Sequence, residues 1–345
     1  MVALPFNADA APAAEPVVWV LHDGKAGMRS QALGLAEATG FAVIEKPLTV
    51  RKPWAWLPPQ LWFAPLRGVT DRGWPLAPPW PDLVIGCGRN TAMPALAIRR
   101  ASGGRTIAAQ VQDPGVGRGE FDMMFVPEHD RRRGPRMFMT GAALHRVTAA
   151  RLEAERRRFP ALEDLPRPLL AVLVGGSNRA YRLTLARLGE VAAAVAAAVR
   201  ERSGSVVVTP SRRTGAEGVA LFREMLAGVP AEIWDGTGDN PYYAYLAIAD
   251  AVLVSADSVS MISEAAATGK PVHVFDLEPR FGGRGDAKFT RFHAAMRAAG
   301  IVRPFAGRIE SWSYPPPDDT ARAGAALREL ALARIAERPR RAQAV

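Results

Sequence analysis

Apolar runs of four to six residues recur along this chain, each followed by small polar residues and then by helical spacing. The clearest case is 251–275, AVLVSADSVSMISEAAATGKPVHVF. An apolar run at 251–254 meets a polar loop at 255–260, a helical segment, Gly269-Lys270-Pro271 and a second apolar run. That order predicts one βαβ unit, because parallel strands need a crossover of about this length. Strands of the same kind are expected at 17–21, 41–48, 82–86, 105–112, 121–126, 169–174, 205–209 and 232–234. Helices are expected at 30–38, 93–100, 148–158, 242–249, 288–299 and 320–337, and after residue 179, where Leu188, Val191, Val195 and Val199 form one stripe. Alternation of this kind predicts an α/β protein with parallel sheets. Two domains are expected, at 17–160 and 169–315, joined by a proline-bearing linker at 161–168. A tail at 1–16 precedes them, and a helix with a basic tail at 316–345 follows.

One stretch breaks the pattern. Residues 49–81 hold five of the eight tryptophans (Trp54, Trp56, Trp62, Trp74, Trp80) among many prolines. Proline fixes φ and removes a donor, so no long helix fits here. Clustered tryptophan beside Arg and Lys suits a membrane interface or a partner surface, and equally a loop whose rings cap the core.

Composition narrows the class. A single cysteine, Cys87, excludes a disulfide framework and a cysteine-rich zinc site. The longest clean apolar run, 191–199, is far short of a membrane span. A cytoplasmic placement is expected, with peripheral contact at the inner face of a membrane. The net charge of +10 is uneven: residues 1–160 carry 21 Lys/Arg against 14 Asp/Glu, the remainder 23 against 20. A basic first half, including Arg131-Arg132-Arg133, points to anionic partners or to solvated arginine-rich helix faces.

Motifs demote most enzyme classes. Gly24-Lys25-Ala26-Gly27 is not a Walker A loop, and Gly86-Cys87-Gly88 lacks the third small residue of a dinucleotide fingerprint. No Asp-x-Asp pair, G-x-S-x-G elbow or Cys/His cluster is present, and no metal or other cofactor is expected. What remains is a set of anion-ready loops in the second domain. Gly175-Gly176-Ser177-Asn178-Arg179 allows close backbone approach and supplies a guanidinium. Ser211, Arg212 and Arg213 add cations at the end of the next strand. Ser255, Ser258 and Ser260 crowd a helix start, where backbone N–H groups favour phosphate, with Glu264 one turn inside. Each loop alone also reads as an ordinary capped turn. In the first domain, His22-Asp23-Gly24-Lys25 follows a strand; His22 there is also what a hydrogen-bonded structural histidine looks like. A Gly-rich loop is expected at 281–286.

Taken together, the paired domains, the Gly-Gly-Ser loop and residues 255–264 followed by Gly269-Lys270-Pro271 resemble a GT-B glycosyltransferase: two Rossmann-like α/β domains facing across a cleft. More closely, the chain resembles the mitochondrial-fission family named for elongated plant mitochondria, which has many bacterial members. His22-Asp23-Gly24-Lys25-Ala26-Gly27 with Gln31, Gly175-Gly176-Ser177, Ser211-Arg212-Arg213-Thr214 and 258–264 carry that likeness, over roughly 17–315. The resemblance implies a nucleotide-sugar donor in the second domain, its diphosphate met by Ser177, Arg179, Arg212 and Ser258 and its ribose by Glu264. His22 or Asp23 would be the general base for an acceptor, which the basic, Trp-rich first domain suits to a lipid-linked or membrane-surface molecule. The other expectation is a non-catalytic adaptor of the same fold with 49–81 as a docking surface for protein or membrane; the plant member is implicated in recruiting a dynamin-like fission protein. Nucleic acid is not an expected partner.

Overall fold

The computed structural model describes residues 15–280 and 287–338. The expected tail at 1–16, the Gly-rich loop at 281–286 and the basic tail beyond 338 lie wholly or mostly outside them.

The first sheet has seven strands: β1 (Val17–His22), β2 (Ala42–Val50), β3 (Val69–Asp71), β4 (Leu83–Cys87), β5 (Ile107–Val111), β6 (Met123–Pro127) and β7 (Met137–Thr140). Their order is β3-β2-β1-β4-β5-β6-β7, parallel throughout except for the β2–β3 pair. Burial on both faces explains the unbroken apolar run of β1. Val18 and Val20 pack with helices α1 (Ala26–Ala38) and α9 (Asp319–Ala336), while Trp19 and Leu21 pack with α2 (Arg89–Ala101).

The second sheet repeats the plan with β8 (Leu169–Val174), β10 (Ser205–Pro210), β11 (Ala231–Ile233), β12 (Ala251–Ser255), β13 (Val272–Phe275) and β15 (Val302–Pro304). These run parallel in the order β11-β10-β8-β12-β13-β15, beside a small β9 (Tyr181–Arg182) and β14 (Glu278–Pro279) ribbon. Leu170, Val172 and Val174 face α4 (Leu185–Glu201) and α5 (Gly215–Met225). Leu169, Ala171 and Leu173 face α6 (Tyr242–Ile248), α7 (Val259–Ala266) and α8 (Ala287–Ala298). In each sheet the chain winds outward from its first strand and then returns to that strand's other side. A crevice therefore opens beyond the carboxyl ends of β1 and β4, and of β8 and β12, where α/β sheets bind ligands.

The chain crosses between the two units earlier than a linker at 161–168 implies. Helix α3 (Ala149–Arg158) packs against α6 of the second unit, and Val147 and Leu162 lie in that unit's core. The return crossing ends in α9, which packs on α1. Buried Asp319 ties the crossings together, accepting from the amides of Gly141 and Ala142 at 3.2 and 3.0 Å. Thr320 Oγ1 accepts from the His145 amide at 3.1 Å. Gly34 lets α1 approach this segment, since a Cβ there would sit 2.1 Å from the His145 carbonyl oxygen.

Candidate functional site

The carboxyl ends of β10, β8 and β12 lie side by side, so the three expected anion-binding loops are brought together. Their glycines are imposed by neighbours. A Cβ on Gly175 would sit 2.3 Å from Asp257 Oδ1, and one on Gly176 2.5 Å from the Arg213 carbonyl oxygen. The Gly175 amide donates to Ser255 Oγ at 2.8 Å, the Gly176 amide to Asp257 Oδ2 at 3.1 Å, and Ser211 Oγ to the Gly175 carbonyl at 2.7 Å. Asp257, absent from the expected site residues, has a fully buried side chain and holds the loops together through Arg213 Nη1 at 2.7 Å. Arg213 Nη1 also donates to the Gly176 carbonyl at 3.0 Å. A guanidinium expected to face phosphate is thus committed to the loops themselves.

Most of the other loop side chains are also engaged internally. Ser177 Oγ accepts from the Leu183 amide at 3.0 Å. Asn178 Oδ1 accepts from the amides of Ala180 and Tyr181 at 2.7 and 2.8 Å. Ser258 caps α7, its Oγ accepting from the Met261 amide at 3.3 Å. What these bonds leave over is specific. Arg179 and Arg212 are exposed with no acceptor among the described residues, and the first two amides of α7, Val259 and Ser260, likewise lack one. Two unpartnered cations and two unfilled amides at a helix N-terminus are thus what the three loops leave over, groups of the kind that attract an anion.

Across the crevice, β1 ends in the His22–Lys25 loop. His22 is buried, with Nδ1 accepting from the Gly24 amide at 3.1 Å and Nε2 2.7 Å from Glu45 Oε1. Both ring nitrogens are occupied, so His22 has no lone pair for an acceptor proton and serves as a structural histidine. Arg29 beside Glu45 holds that carboxyl down at about 2, so it stays an anion facing His22. Asp23 is different: Asn90 Nδ2 donates to Oδ2 at 3.1 Å and Lys25 Nζ bonds the same oxygen, while buried Oδ1 has no partner among the described residues. Cys87, at the end of β4, is pushed up by burial and stays a thiol.

The two sides meet where α1 and α7 begin. Glu264, 5% exposed, accepts from Ser30 Oγ of the first unit and from the Tyr242 hydroxyl of the second, each at 2.6 Å. Burial pushes its carboxyl up while the two hydroxyls pull it down, and burial prevails. Gln31 Nε2 donates to Ser260 Oγ at 3.2 Å, and Gln31 Oε1 accepts from Gln112 Nε2 at 3.1 Å. Glu264, expected to hold a ribose, is here a latch between the units rather than an open carboxylate. A cavity of about 600 Å³ bordered by Gly34, Glu37, His145 and Arg146 lies at the opposite ends of α1 and α7, away from every loop just described.

Two Rossmann-like domains with their ligand crevices turned toward each other define a GT-B-like fold. Solved structures agree: UDP-GlcNAc 2-epimerase from Methanocaldococcus jannaschii matches with a TM-score of 0.54 at 11% identity, covering 92% of this chain and 99% of that one. The same enzyme in complex with UDP-GlcNAc and UDP matches at 0.52, with 11% identity and the same coverage. The chain itself belongs to the mitochondrial fission ELM1 family, whose sequence profile matches residues 26–331. It is 35% identical over 293 residues to the mitochondrial fission protein ELM1 of Arabidopsis thaliana, a match covering 74% of this chain and 65% of that relative. The uncharacterized protein RP120 of Rickettsia prowazekii (strain Madrid E) is 25% identical over 87% of this chain and 94% of its own. Among the described residues no helix is long and apolar enough to cross a membrane.

Proposed function

We propose that this protein transfers a glycosyl group from a nucleotide-sugar to an acceptor hydroxyl without a metal ion. The observation that carries the reading is the pair of unpartnered guanidinium groups, Arg179 and Arg212, on loops at strand ends adjoining the one that leads into α7, whose first two amides are free. In such a transfer the sugar C1–O bond to the diphosphate breaks and the diphosphate leaves with the electron pair. Fixed cations and dipoles aimed at that developing charge are the main catalytic requirement. The acceptor oxygen bonds C1 and loses its proton to a carboxylate, for which Asp23 is the candidate and His22 is not. Glu264, once Ser30 lets go, holds the ribose. The UDP-GlcNAc and UDP complex of the epimerase with the same fold makes uridine nucleotides the first donors to try. The acceptor is lipid-linked or at a membrane surface, in keeping with the basic first half of the chain.

A thermal-shift screen against UDP-, GDP-, ADP-, CMP- and TDP-sugars in EDTA tests the reading. A donor at a hundredfold excess over its Kd stabilises by about 2.7 kcal/mol. A selective shift lost in Arg179→Ala with Arg212→Ala, followed by nucleoside diphosphate release with an acceptor, is the expected result. A second reading is favoured by the sealed Glu264 and the internally bonded loops: an adaptor whose crevice is idle, consistent with the family's name. No shift with any donor at millimolar concentration selects it.

A further inference from the structure

The Trp-rich segment divides into an inner and an outer set. Trp62 is buried and donates Nε1 to the Leu57 carbonyl at 3.1 Å, Trp80 packs edge-on against Trp19 at 6.0 Å, and Trp54 packs on the same core and donates Nε1 to the Phe63 carbonyl at 2.6 Å. These rings close the α2 face of the first sheet. The outer set has no such task. Trp56, Leu61, Phe63 and Trp74 are 72%, 62%, 59% and 76% exposed, the four most exposed large hydrophobic side chains among the described residues. Water contact on this scale, within a stretch of about twenty residues, is not what an isolated soluble surface needs.

Charge around the rings is one-sided. Arg51, Lys52, Arg67 and Arg72 are exposed, and the one acid of the segment, Asp71, is buried and bonded to Lys46 at 2.9 Å. Lys52 lies over Trp56, 5.1 Å from the ring centroid. The Arg51 and Arg67 guanidinium groups have no acceptor among the described residues. Both border a cavity of about 410 Å³ walled by Trp54, Leu66, Val69 and Leu76. An apolar pocket lined by two unpartnered arginines, in a segment that also carries exposed tryptophans, matches an anionic headgroup above an acyl boundary.

From this we infer that residues 51–76 dock the protein on an anionic lipid surface, with Arg51 and Arg67 taking the headgroup phosphate and Trp56, Leu61, Phe63 and Trp74 entering the interface. Cations interleaved with exposed aromatic rings complement an interface where phosphate and acyl chain lie side by side, and that commits the occupant to lipid. The inference stands whether or not the crevice transfers sugars, and its test does not involve a donor.

The experiment is sedimentation of the full chain with vesicles of phosphatidylcholine alone or with about a third phosphatidylglycerol. Binding should require the anionic lipid. Each cation near such a surface is worth about fivefold in partitioning, so Arg51→Glu with Arg67→Glu should lower it by at least about twentyfold. Trp56→Ser with Trp74→Ser should abolish quenching of tryptophan emission by brominated lipid and lower binding. All four side chains are exposed, and an unchanged melting temperature confirms that the variants fold. Arg131→Glu with Arg133→Glu makes the same charge change at the β6–β7 turn, near the other edge of the sheet, and should leave binding within about twofold, since exposed charges beyond a Debye length are screened. Equal loss in that variant, or full binding by the Arg51/Arg67 variant, overturns the assignment. So does vesicle binding that ignores lipid charge, and so does capture of the segment by a soluble protein with no binding to vesicles.

Discussion

Opposite effects on donor affinity are expected from removing the two ends of the Ser30–Glu264 hydrogen bond. In the structure, Ser30 Oγ and the Tyr242 hydroxyl occupy one carboxylate oxygen each at 2.6 Å. A ribose hydroxyl at Glu264 must replace Ser30, so the latch competes with the donor. A hydrogen bond to a buried charged group contributes about 1.5–3 kcal/mol net, and every 1.4 kcal/mol is about tenfold in Kd. Ser30→Ala should therefore lower the resting melting temperature yet tighten donor binding by about tenfold. Glu264→Ala removes the ribose anchor and should weaken binding by about tenfold or more, despite also removing the latch. Isothermal titration of the donor found in the screen, with wild type and both variants, reads the two signs directly. If Ser30→Ala weakens binding as much as Glu264→Ala, Ser30 belongs to the donor site and the exchange argument fails. If Glu264→Ala leaves binding unchanged in a folded protein, Glu264 is a latch alone.

Three further outcomes follow from the structure. Asp23→Asn should lower turnover by about a hundredfold or more at unchanged donor affinity, whereas His22→Gln should act on stability; equal turnover in Asp23→Asn removes it as the base. Acid should destabilise the fold through the buried imidazoles: burial holds His145 and His129 down from 6.5 to about 4. A depressed folded value means the stabilisation is full above pH 6.5 and is lost as pH falls through about 4. Urea unfolding at pH 7 and pH 5 should show the loss, and His145→Gln should flatten it. Asp319→Ala deletes two hydrogen bonds from backbone amides to a buried carboxylate and should cost about 3 kcal/mol or more, seen as a lower unfolding midpoint.

How far the fold and site could be read from sequence depends on whether the cause is local. Strands such as 169–174 were legible because burial on both faces demands an unbroken apolar run, and the loops were legible because they follow those runs with Gly, Ser and Asp. Helix α3 was legible as a helix at 148–158 but not as a neighbour of the second unit: its few apolar contacts, Leu152 and the following Phe159, sit among Arg and Glu and give no sign of which core they lean on. The pairing of Asp257 with Arg213, and of Glu264 with Ser30, joins residues far apart in the chain, and no periodicity carries that.

Loop composition, moreover, says that a turn can take an anion, but not which atoms are left after the turn has satisfied itself. Ser177, Asn178, Ser258 and Arg213 all have the right chemistry for a diphosphate, and the structure engages each of them in holding the loops in shape. Buried or half-buried polar groups must find partners, and in a loop the nearest partners are its own backbone. The same principle singles out Arg179 and Arg212 for test, because a guanidinium left without a partner is the part of the loop that shape does not need. It also separates Asp23 from His22, two neighbours that sequence alone ranks equally: one retains a free oxygen and the other has no free nitrogen. A search for the acceptor should accordingly start from the loop that carries Asp23, and a variant series that leaves Arg213 and Asp257 intact will keep the three second-domain loops in place while it is done.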